Sequence, residues 1–437
     1  MRIRQREAGW GAAAIKSTAA KGFHADRQDD PTADSAPADS ALDTEGSRWR
    51  SFVFAACFGL GLRVVLTLFA DITLAIRPGL YLSPPPTGPS ALLPSPGTWQ
   101  ALVALPWQRW DAIHYTLIAA DGYSTPAHAS FLPLFPLLER ALAPVTGGSF
   151  AVAGVAANTI AVVAGFYLLH RLATHEVGAA AADRTLIWLA LFPAAFFLLA
   201  NYAEAPFFAL SVGTFLAARR RHFVLAGVSA ALATLCRDQG IILVVPLAIE
   251  VYGAARERAG AAGWRLRAGD AAVLLPIVAL AAWWAYVSVG LGVAGGPAGA
   301  ELRYWGDHPV FPLKAVYDYV ASLFNGVPGP GKSLILMDLF IVFLMVVGIV
   351  LMWRRLPKSY SLYAALSGLV AISREVHGLP IDIARFAVVI FPFFMLAGMK
   401  LSGTTPEGRA ARVAIAVVSG ATLLYLTYRF AHWGYVS

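Results

Sequence analysis

The 437-residue sequence has little charge, because Asp, Glu, Lys and Arg make up only 14% of it and hydrophobic residues make up 58%. A soluble globular domain carries about 25% charged residues, so the composition excludes that class. Several almost purely apolar runs of roughly 20 residues are long enough to cross a hydrocarbon core of about 30 Å. These runs lack the alternation of transmembrane β-strands. The sequence therefore predicts an all-α polytopic membrane protein.

Cysteine is also scarce: Cys57 and Cys236 both lie in apolar runs, so neither a disulfide framework nor a zinc site is indicated. No metal-binding spacing of the His-Glu-x-x-His kind is present. We predict no metal cofactor, although Asp111, Asp121 and Glu204 are carboxylates that could hold a divalent cation. The net charge of +8 comes from basic residues in short loops, which is typical of cytoplasmic loops and does not indicate nucleic-acid binding.

Two regions differ in composition. Residues 1–47 have few large apolar side chains and cannot bury a core, so they are predicted to form a disordered cytoplasmic tail. They also lack the apolar stretch of a signal peptide. Residues 48–430 are predicted to form one transmembrane domain of about eleven helices. The spans are expected at residues 51–74, 149–172, 185–199, 205–217, 223–236, 241–252, 271–291, 333–353, 360–372, 386–399 and 413–428.

Clusters of Lys and Arg fall in alternate loops, which predicts a cytoplasmic N-terminus and a C-terminus on the outside. The two long loops, 77–148 and 292–332, then both lie outside. The first is expected to carry short helices after an irregular segment at 81–96, and the second an amphipathic helix over 313–324. The membrane is the plasma membrane if the source is bacterial and the endoplasmic reticulum if it is eukaryotic. Spans of 13 to 15 residues are short, so we expect polar ends to extend them or a cavity within the protein to end them.

The first outside loop holds the densest cluster of reactive side chains: Arg109, Trp110, Asp111, His114, Tyr115 and Tyr123. Asp111 is expected at the start of a helix, where N-capping alone would account for an acid. The alternative is a general base, with His114 on the same helical face to orient or donate to a substrate oxygen. The aromatic rings offer faces for a sugar or for lipid headgroups.

The predicted topology brings further polar groups to the same membrane face: Tyr202, Glu204, Arg237, Asp238, Arg303, Asp307, His308, Arg374, Glu375, His377, Asp382 and Arg385. Such groups are costly at a membrane boundary and are candidates for function. Ordinary alternatives remain open. Glu204 could be a favourable charge in a first helical turn, Arg237 could pair with Asp238, and the segment 374–385 could be a polar loop. Arg63, inside the first span, either reaches the headgroups or faces a bound phosphate.

Several motifs in chain order resemble those of the PIG-V type mannosyltransferases, which belong to the GT-C glycosyltransferases. They are Arg109-Trp-Asp-Ala-Ile-His-Tyr115, Ile118-Ala-Ala-Asp-Gly-Tyr123, Phe131-Leu-Pro-Leu-Phe-Pro136, Phe192-Pro193, Tyr202-Ala-Glu204, Arg237-Asp-Gln-Gly240, Arg385-Phe386 and Phe391-Pro392. The resemblance covers most of residues 51–428. Tyr115 stands where the family often has Phe, and Asp238-Gln239 stands where smaller polar residues are common.

The resemblance implies a GT-C-like fold whose first outer loop forms the catalytic face. It also implies transfer of a sugar, mannose by analogy, from a polyprenyl-phosphate donor to a lipid- or protein-linked acceptor on the extracytoplasmic side. Asp111 then corresponds to the family's acidic catalytic position. A single displacement with Asp111 as general base would invert the anomeric carbon. The alternative is a transporter or a lipid-linked sugar flippase, although no internal repeat of the kind common in transporters is evident.

Three groups of site residues follow from the motifs, the topology and the resemblance together. The catalytic residues are predicted to be Asp111 and His114. The substrate-binding residues are predicted to be Arg109, Trp110, Tyr115, Tyr123, Tyr202 and Glu204. The donor phosphate is predicted to meet the cations Arg63, Arg237, Arg374 and Arg385.

Overall fold

A computed structural model describes residues 45–80, 94–95, 97–325, 331–376, 382–403 and 405–436. Within these ranges the chain forms 17 α-helices, and two three-residue strands complete the regular structure. The helices are α1 (Glu45–Ile76), α2 (Trp99–Ala104), α3 (Asp111–Asp121), α4 (Leu134–Leu142), α5 (Phe150–Val177), α6 (Ala179–Ala190), α7 (Glu204–Arg219), α8 (Phe223–Cys236), α9 (Val244–Ala259), α10 (Leu275–Ala285), α11 (Gly296–Ala300), α12 (Pro312–Asn325), α13 (Lys332–Met352), α14 (Lys358–Ala371), α15 (Ile383–Val388), α16 (Pro392–Lys400) and α17 (Pro406–Ala431).

Tighter or wider helical turns connect many of these helices. Among the described residues, the 3₁₀ turns are Leu105–Trp107, Pro126–Ser130, Ala143–Thr146, Ala195–Leu198, Asp238–Leu243, Gly260–Ala262 and Ala268–Leu274, and the π turns are Tyr286–Gly290 and Glu301–Trp305. The predicted tail (1–47) and the irregular segment (81–96) lie almost entirely outside the described residues, as does His377.

Six helices in the described ranges are long and apolar enough to cross a membrane: Glu45–Ile76, Phe150–Val177, Asp238–Ala259, Ala268–Gly290, Lys332–Met352 and Pro406–Ala431. The chain is therefore a mostly helical, multi-pass membrane protein, as predicted. Each of the eleven predicted spans contains helix, but the count of eleven is not confirmed because five of the segments are short or broken. The helix α8, for example, has 14 residues, or about 21 Å at 1.5 Å per residue.

The short helix α8 ends at a cavity, which is one of the two arrangements expected for a span of this length. Its last residue, Cys236, and the following Arg237 both line that cavity. The turn after Arg237 folds back directly onto α8. Gly240 comes so close to this helix that an added Cβ would lie 2.4 Å from the backbone nitrogen of Thr234. Only glycine permits this approach, and the turn fixes where Arg237 and Asp238 stand.

The two strands, β1 (Asp307–Pro309) and β2 (Arg374–Val376), pair antiparallel. His308 stands opposite Glu375, and Pro309 opposite Arg374. The ribbon joins the second long loop to the segment after α14, and the all-α prediction did not include it. The amphipathic helix expected in that loop is confirmed as α12.

Candidate active site

Asp111 is the first residue of α3 and does not cap it. The capping position belongs to Trp110, and no side chain caps the helix there. The N-cap interpretation of Asp111 is therefore wrong. Its carboxylate Oδ2 instead accepts a hydrogen bond of 2.7 Å from Arg385 Nη1, and the side chain remains 30% exposed. Asp111 is thus held by a cation from a distant part of the chain and remains open to a cavity.

The backbone just before Asp111 is strained. Trp110 has φ 52° and ψ −120°, a region that bulky residues rarely occupy. The C-terminal end of the chain packs against it: the Trp110 and Trp433 rings meet edge-on at 5.6 Å, and the Arg109 guanidinium lies 5.0 Å from the Trp433 ring. Arg109 Nε also donates to the carbonyl of Ala431 at 2.8 Å. These contacts hold the strained turn, and strain of this kind collects at functional sites.

Glu204, fully buried at the start of α7, joins two arginines. Its Oε1 accepts hydrogen bonds from Arg237 and from Arg385 Nε. The Arg385 guanidinium also lies 4.4 Å from the ring of Tyr202, whose hydroxyl donates to the Arg109 carbonyl at 3.2 Å. Glu204 is therefore linked to Asp111 through Arg385, and Tyr202 is linked to the same motif through the backbone carbonyl of Arg109. Arg237 pairs with Glu204, so the alternative of an Arg237–Asp238 pair is wrong.

Arg374 forms the centre of a second charged cluster. Its guanidinium forms an ion pair with Asp307, which lies on the neighbouring strand β1. The same guanidinium lies 3.3 Å from the carboxylate of Asp238 and 3.2 Å from that of Glu301. Burial alone would lower the pKa of Arg374, but the carboxylates of Asp238 and Glu301 raise it. Burial raises the pKa of Glu301 to about 7, although Arg374 counteracts it.

One cavity of about 220 Å³ lies between these two clusters. Five of the predicted site residues line it: Asp111, Tyr115, Arg237, Arg374 and Arg385. Other polar walls come from later loops: Asp238, Glu301, Trp305, Asp307 and Asp382. The cavity is therefore assembled from four parts of the chain, and it presents carboxylates and guanidinium groups side by side.

His114 lies behind this cavity in a cluster of rings. It stacks on Phe131 at 5.1 Å and meets Trp305 edge-on at 4.9 Å, with His128 at 5.8 Å. Burial lowers the pKa of His114, and Asp111 partly offsets this effect. His114 is thus placed as a ring that packs against Phe131 and Trp305, both of which line the cavity.

Six other predicted residues also lie away from the cavity lining: Arg109, Trp110, Tyr202 and Glu204, whose contacts are given above, and Arg63 and Tyr123. Arg63 is buried, donates to the Leu199 carbonyl at 2.7 Å and lies 5.4 Å from the Trp107 ring. The Tyr123 hydroxyl donates to the Phe131 carbonyl at 3.0 Å. These contacts anchor the first loop and α1 to neighbouring elements.

Asp338 is a buried acid that none of the sequence motifs includes. It lies inside α13, and the Tyr319 hydroxyl of α12 donates to its Oδ2 at 2.6 Å. The backbone amide of Ala384, the residue before Arg385, also interacts with its carboxylate. Asp338 therefore supports the short helix that carries Arg385. A single acid within an apolar span was the available signal.

The carboxylates Asp111, Asp121 and Glu204 do not form a metal site. Asp121 is exposed at the far end of α3, and Glu204 is bound by two arginines. Within the ranges that the structure covers, no group of three His, Cys, Asp or Glu side chains is arranged to hold a metal ion.

No protein-family model and no curated protein sequence matches the chain. The structure is similar to ArnT from Cupriavidus metallidurans bound to undecaprenyl phosphate, with 16% identity, 84% of this chain and 65% of that chain covered, and a TM-score of 0.45. It is also similar to the oligosaccharyltransferase of Archaeoglobus fulgidus tethered with an acceptor peptide. The identity is 15%, the match covers 87% of this chain and 56% of that chain, and the TM-score is 0.41. The chain thus spans less than two thirds of either neighbour, and likenesses of this size assign it neither a family nor an activity.

The unusual acid Glu301 gives a prediction about stability and pH. The ordinary pKa of glutamate is 4.5, whereas burial raises that of Glu301 to about 7. Between these values the folded protein retains a proton that the unfolded chain has lost, so this group's contribution to stability falls as pH rises from about 4.5 to about 7. We expect Glu301→Gln to flatten the decline of the melting temperature across this window. If the melting temperatures of the wild type and the variant fell in parallel as pH rises, the raised pKa would not belong to Glu301.

Proposed function

We propose that the protein is an integral membrane glycosyltransferase that takes a sugar from a polyprenyl-phosphate donor. The observation that carries the proposal is Asp111, a partly exposed acid that caps no helix and opens into a cavity beside Arg385 and Arg237. The sequence resemblance to the PIG-V type mannosyltransferases, within the GT-C glycosyltransferases, supports this reaction. It also favours mannose as the sugar and the extracytoplasmic face as the side of transfer.

The reaction that we infer is a single displacement. An acceptor hydroxyl attacks the anomeric carbon while Asp111 takes its proton. The new glycosidic bond forms as the bond from that carbon to the phosphate oxygen breaks, and the lipid phosphate leaves with the electron pair. Attack from the side opposite the leaving group inverts the anomeric carbon. Arg385 orients the Asp111 carboxylate through the 2.7 Å hydrogen bond.

The leaving phosphate needs positive charge, and Arg237 is the best placed group to supply it. It lines the cavity, and its Nε has no hydrogen-bond partner among the described residues. A fixed guanidinium stabilises charge that develops on a leaving oxygen without needing a metal ion. Glu301, with a pKa near 7, is partly protonated at neutral pH, which reduces the negative charge that opposes a phosphate.

Replacing Arg237 tests this role. We expect Arg237→Ala to raise the donor KM about tenfold or more, because a charge-assisted hydrogen bond to the phosphate is lost. Arg237→Lys is the matched control: it keeps the positive charge and should restore part of the donor affinity. Steady-state kinetics at varied donor and fixed acceptor separate KM from kcat. An unchanged donor KM in Arg237→Ala would remove Arg237 from the phosphate site.

The experiment that tests the function is transfer by the purified protein. Radiolabelled polyprenyl-phosphate mannose, with polyprenyl-phosphate glucose alongside, is incubated with the protein and with membrane lipids or proteins as acceptors. We expect label in a new lipid- or protein-linked product with at least one donor. Absence of product with every donor and acceptor would refute a glycosyltransferase, and a product from glucose alone would refute only the choice of mannose.

A further inference from the structure

A second and larger cavity lies at the opposite end of α8 from the Asp111 site. It has a volume of about 830 Å³, and Phe223, the first residue of α8, lines it. Arg237, which follows the last residue of the same helix, lines the first cavity. Because α8 has 14 residues, the two cavities are separated by about 20 Å along its axis. The larger cavity is therefore a separate site, near the other face of the membrane.

The charged wall of this cavity is basic. Three guanidinium groups, those of Arg221, Arg258 and Arg267, line it together with the carboxylates of Glu257 and Asp270. Arg221 pairs with Glu257 at 2.6 Å and Arg258 with Asp270 at 2.8 Å, so the set retains one net positive charge. The N-terminus of α8 opens at the same point, and the first amides of a helix add positive potential there. An anionic group would complement this wall.

The other wall of the cavity is apolar and continues along α8. Val224, Leu225 and Val228 line it and are exposed, and Leu232 continues the exposed row one turn further. In a membrane protein such a row faces acyl chains. A free phosphate would contact only the basic wall, whereas a phospholipid would place its headgroup at the arginines and its chain along the row.

We propose that this cavity binds the headgroup of an anionic phospholipid, with one acyl chain lying along the outer face of α8. Basic pockets between membrane helices bind anionic lipid headgroups. The site is independent of the proposed transferase reaction, since it shares no residue with the Asp111 cavity.

Comparing the retention of an anionic and a zwitterionic lipid tests whether the arginines of this cavity bind the headgroup. The purified full-length protein in neutral detergent is given dioleoyl phosphatidylglycerol or dioleoyl phosphatidylcholine, and bound lipid is counted by native mass spectrometry. We expect tighter retention of phosphatidylglycerol, weakened at least about tenfold in the double variant Arg221→Gln/Arg267→Gln. The matched control Arg354→Gln/Arg355→Gln removes two exposed arginines elsewhere and should retain the lipid. Equal retention of both lipids, or equal loss in both double variants, would overturn the proposal.

A second variant tests the apolar wall without changing charge. Val228→Trp places a larger side chain on an exposed position of the row, so we expect it to fold and to lower phosphatidylglycerol retention. Inorganic phosphate serves as competitor in the same titration. Displacement of the lipid by an equal concentration of phosphate, or undiminished retention in Val228→Trp, would show a simple anion site and would overturn the lipid assignment.

Discussion

Asp111→Asn is expected to lower sugar transfer at least about 100-fold while leaving expression and melting temperature close to those of the wild type. Asparagine has nearly the same shape and can still accept a hydrogen bond from Arg385, but it cannot take the proton of the acceptor hydroxyl. The loss should therefore appear in kcat, with the donor KM little changed. Transfer is measured with labelled donor, and folding by thermal unfolding in detergent.

Asp121→Asn is the matched control for this variant. Asp121 lies in the same helix α3 but is exposed at its other end and does not line the cavity. It should transfer sugar at the rate of the wild type. Normal transfer by Asp111→Asn would remove Asp111 from the reaction, whereas an equal loss in both variants would indicate a general sensitivity of α3 to lost charge.

Glu204→Ala is expected to give the largest loss of stability, about 3–5 kcal/mol. The side chain is 0% exposed, and its Oε1 accepts from both Arg237 and Arg385. Removing the carboxylate leaves Arg237, which is also buried, without its ion-pair partner. The cost of an unpaired buried charge exceeds the free energy that the intact pair contributes to folding. Chemical unfolding in mild detergent measures the difference.

An exposed ion pair provides the comparison for Glu204. Glu257 pairs with Arg221 at 2.6 Å, but its side chain is 68% exposed. Solvent screens such a pair, so Glu257→Ala should cost between about 0 and 1 kcal/mol. Comparable losses in the two variants would mean that Glu204 is not the buried centre of the site. Loss of stability in Glu204→Ala with undisturbed transfer would separate the ion pair from the reaction.

The sequence was sufficient to predict the class of fold and to name five residues that line one cavity. Composition and long apolar runs predicted the membrane helices, and the short length of α8 indicated either extension by its polar ends or an end at a cavity. Five predicted residues line that cavity, although Asp111 and Arg385 lie 274 positions apart in the chain. Motif order and topology placed them on one face, but their pairing depends on how α15 packs, which no local pattern encodes.

The N-cap interpretation of Asp111 is wrong for a physical reason. Asp111 was open to a capping role because a helix start with an acid is usually capped by it. Here contacts with Trp433 at the far end of the chain hold Trp110 at positive φ, so the helix begins one residue earlier than a cap at Asp111 would place it. Local propensity cannot anticipate such a distant contact.

For Arg63, the sequence predicted the position along the membrane helix but not the contacts of the side chain. Its distance along α1 indicated its depth in the membrane but not the direction of its side chain. The buried face of α1 holds Ser51, Ala55, Gly59, Arg63, Leu66 and Ala70, at spacings of three and four residues. Arg63 therefore lies on the face that packs against the protein, and this helical spacing was the available signal.

The fate of the donor in proteoliposomes distinguishes a transferase from a flippase. Protein is reconstituted with acceptor lipids and with polyprenyl-phosphate mannose labelled in the sugar. We expect equal amounts of labelled product and free polyprenyl phosphate with the wild type, and neither with Asp111→Asn. Recovery of intact donor on the opposite leaflet, with no product and no free polyprenyl phosphate, would contradict it.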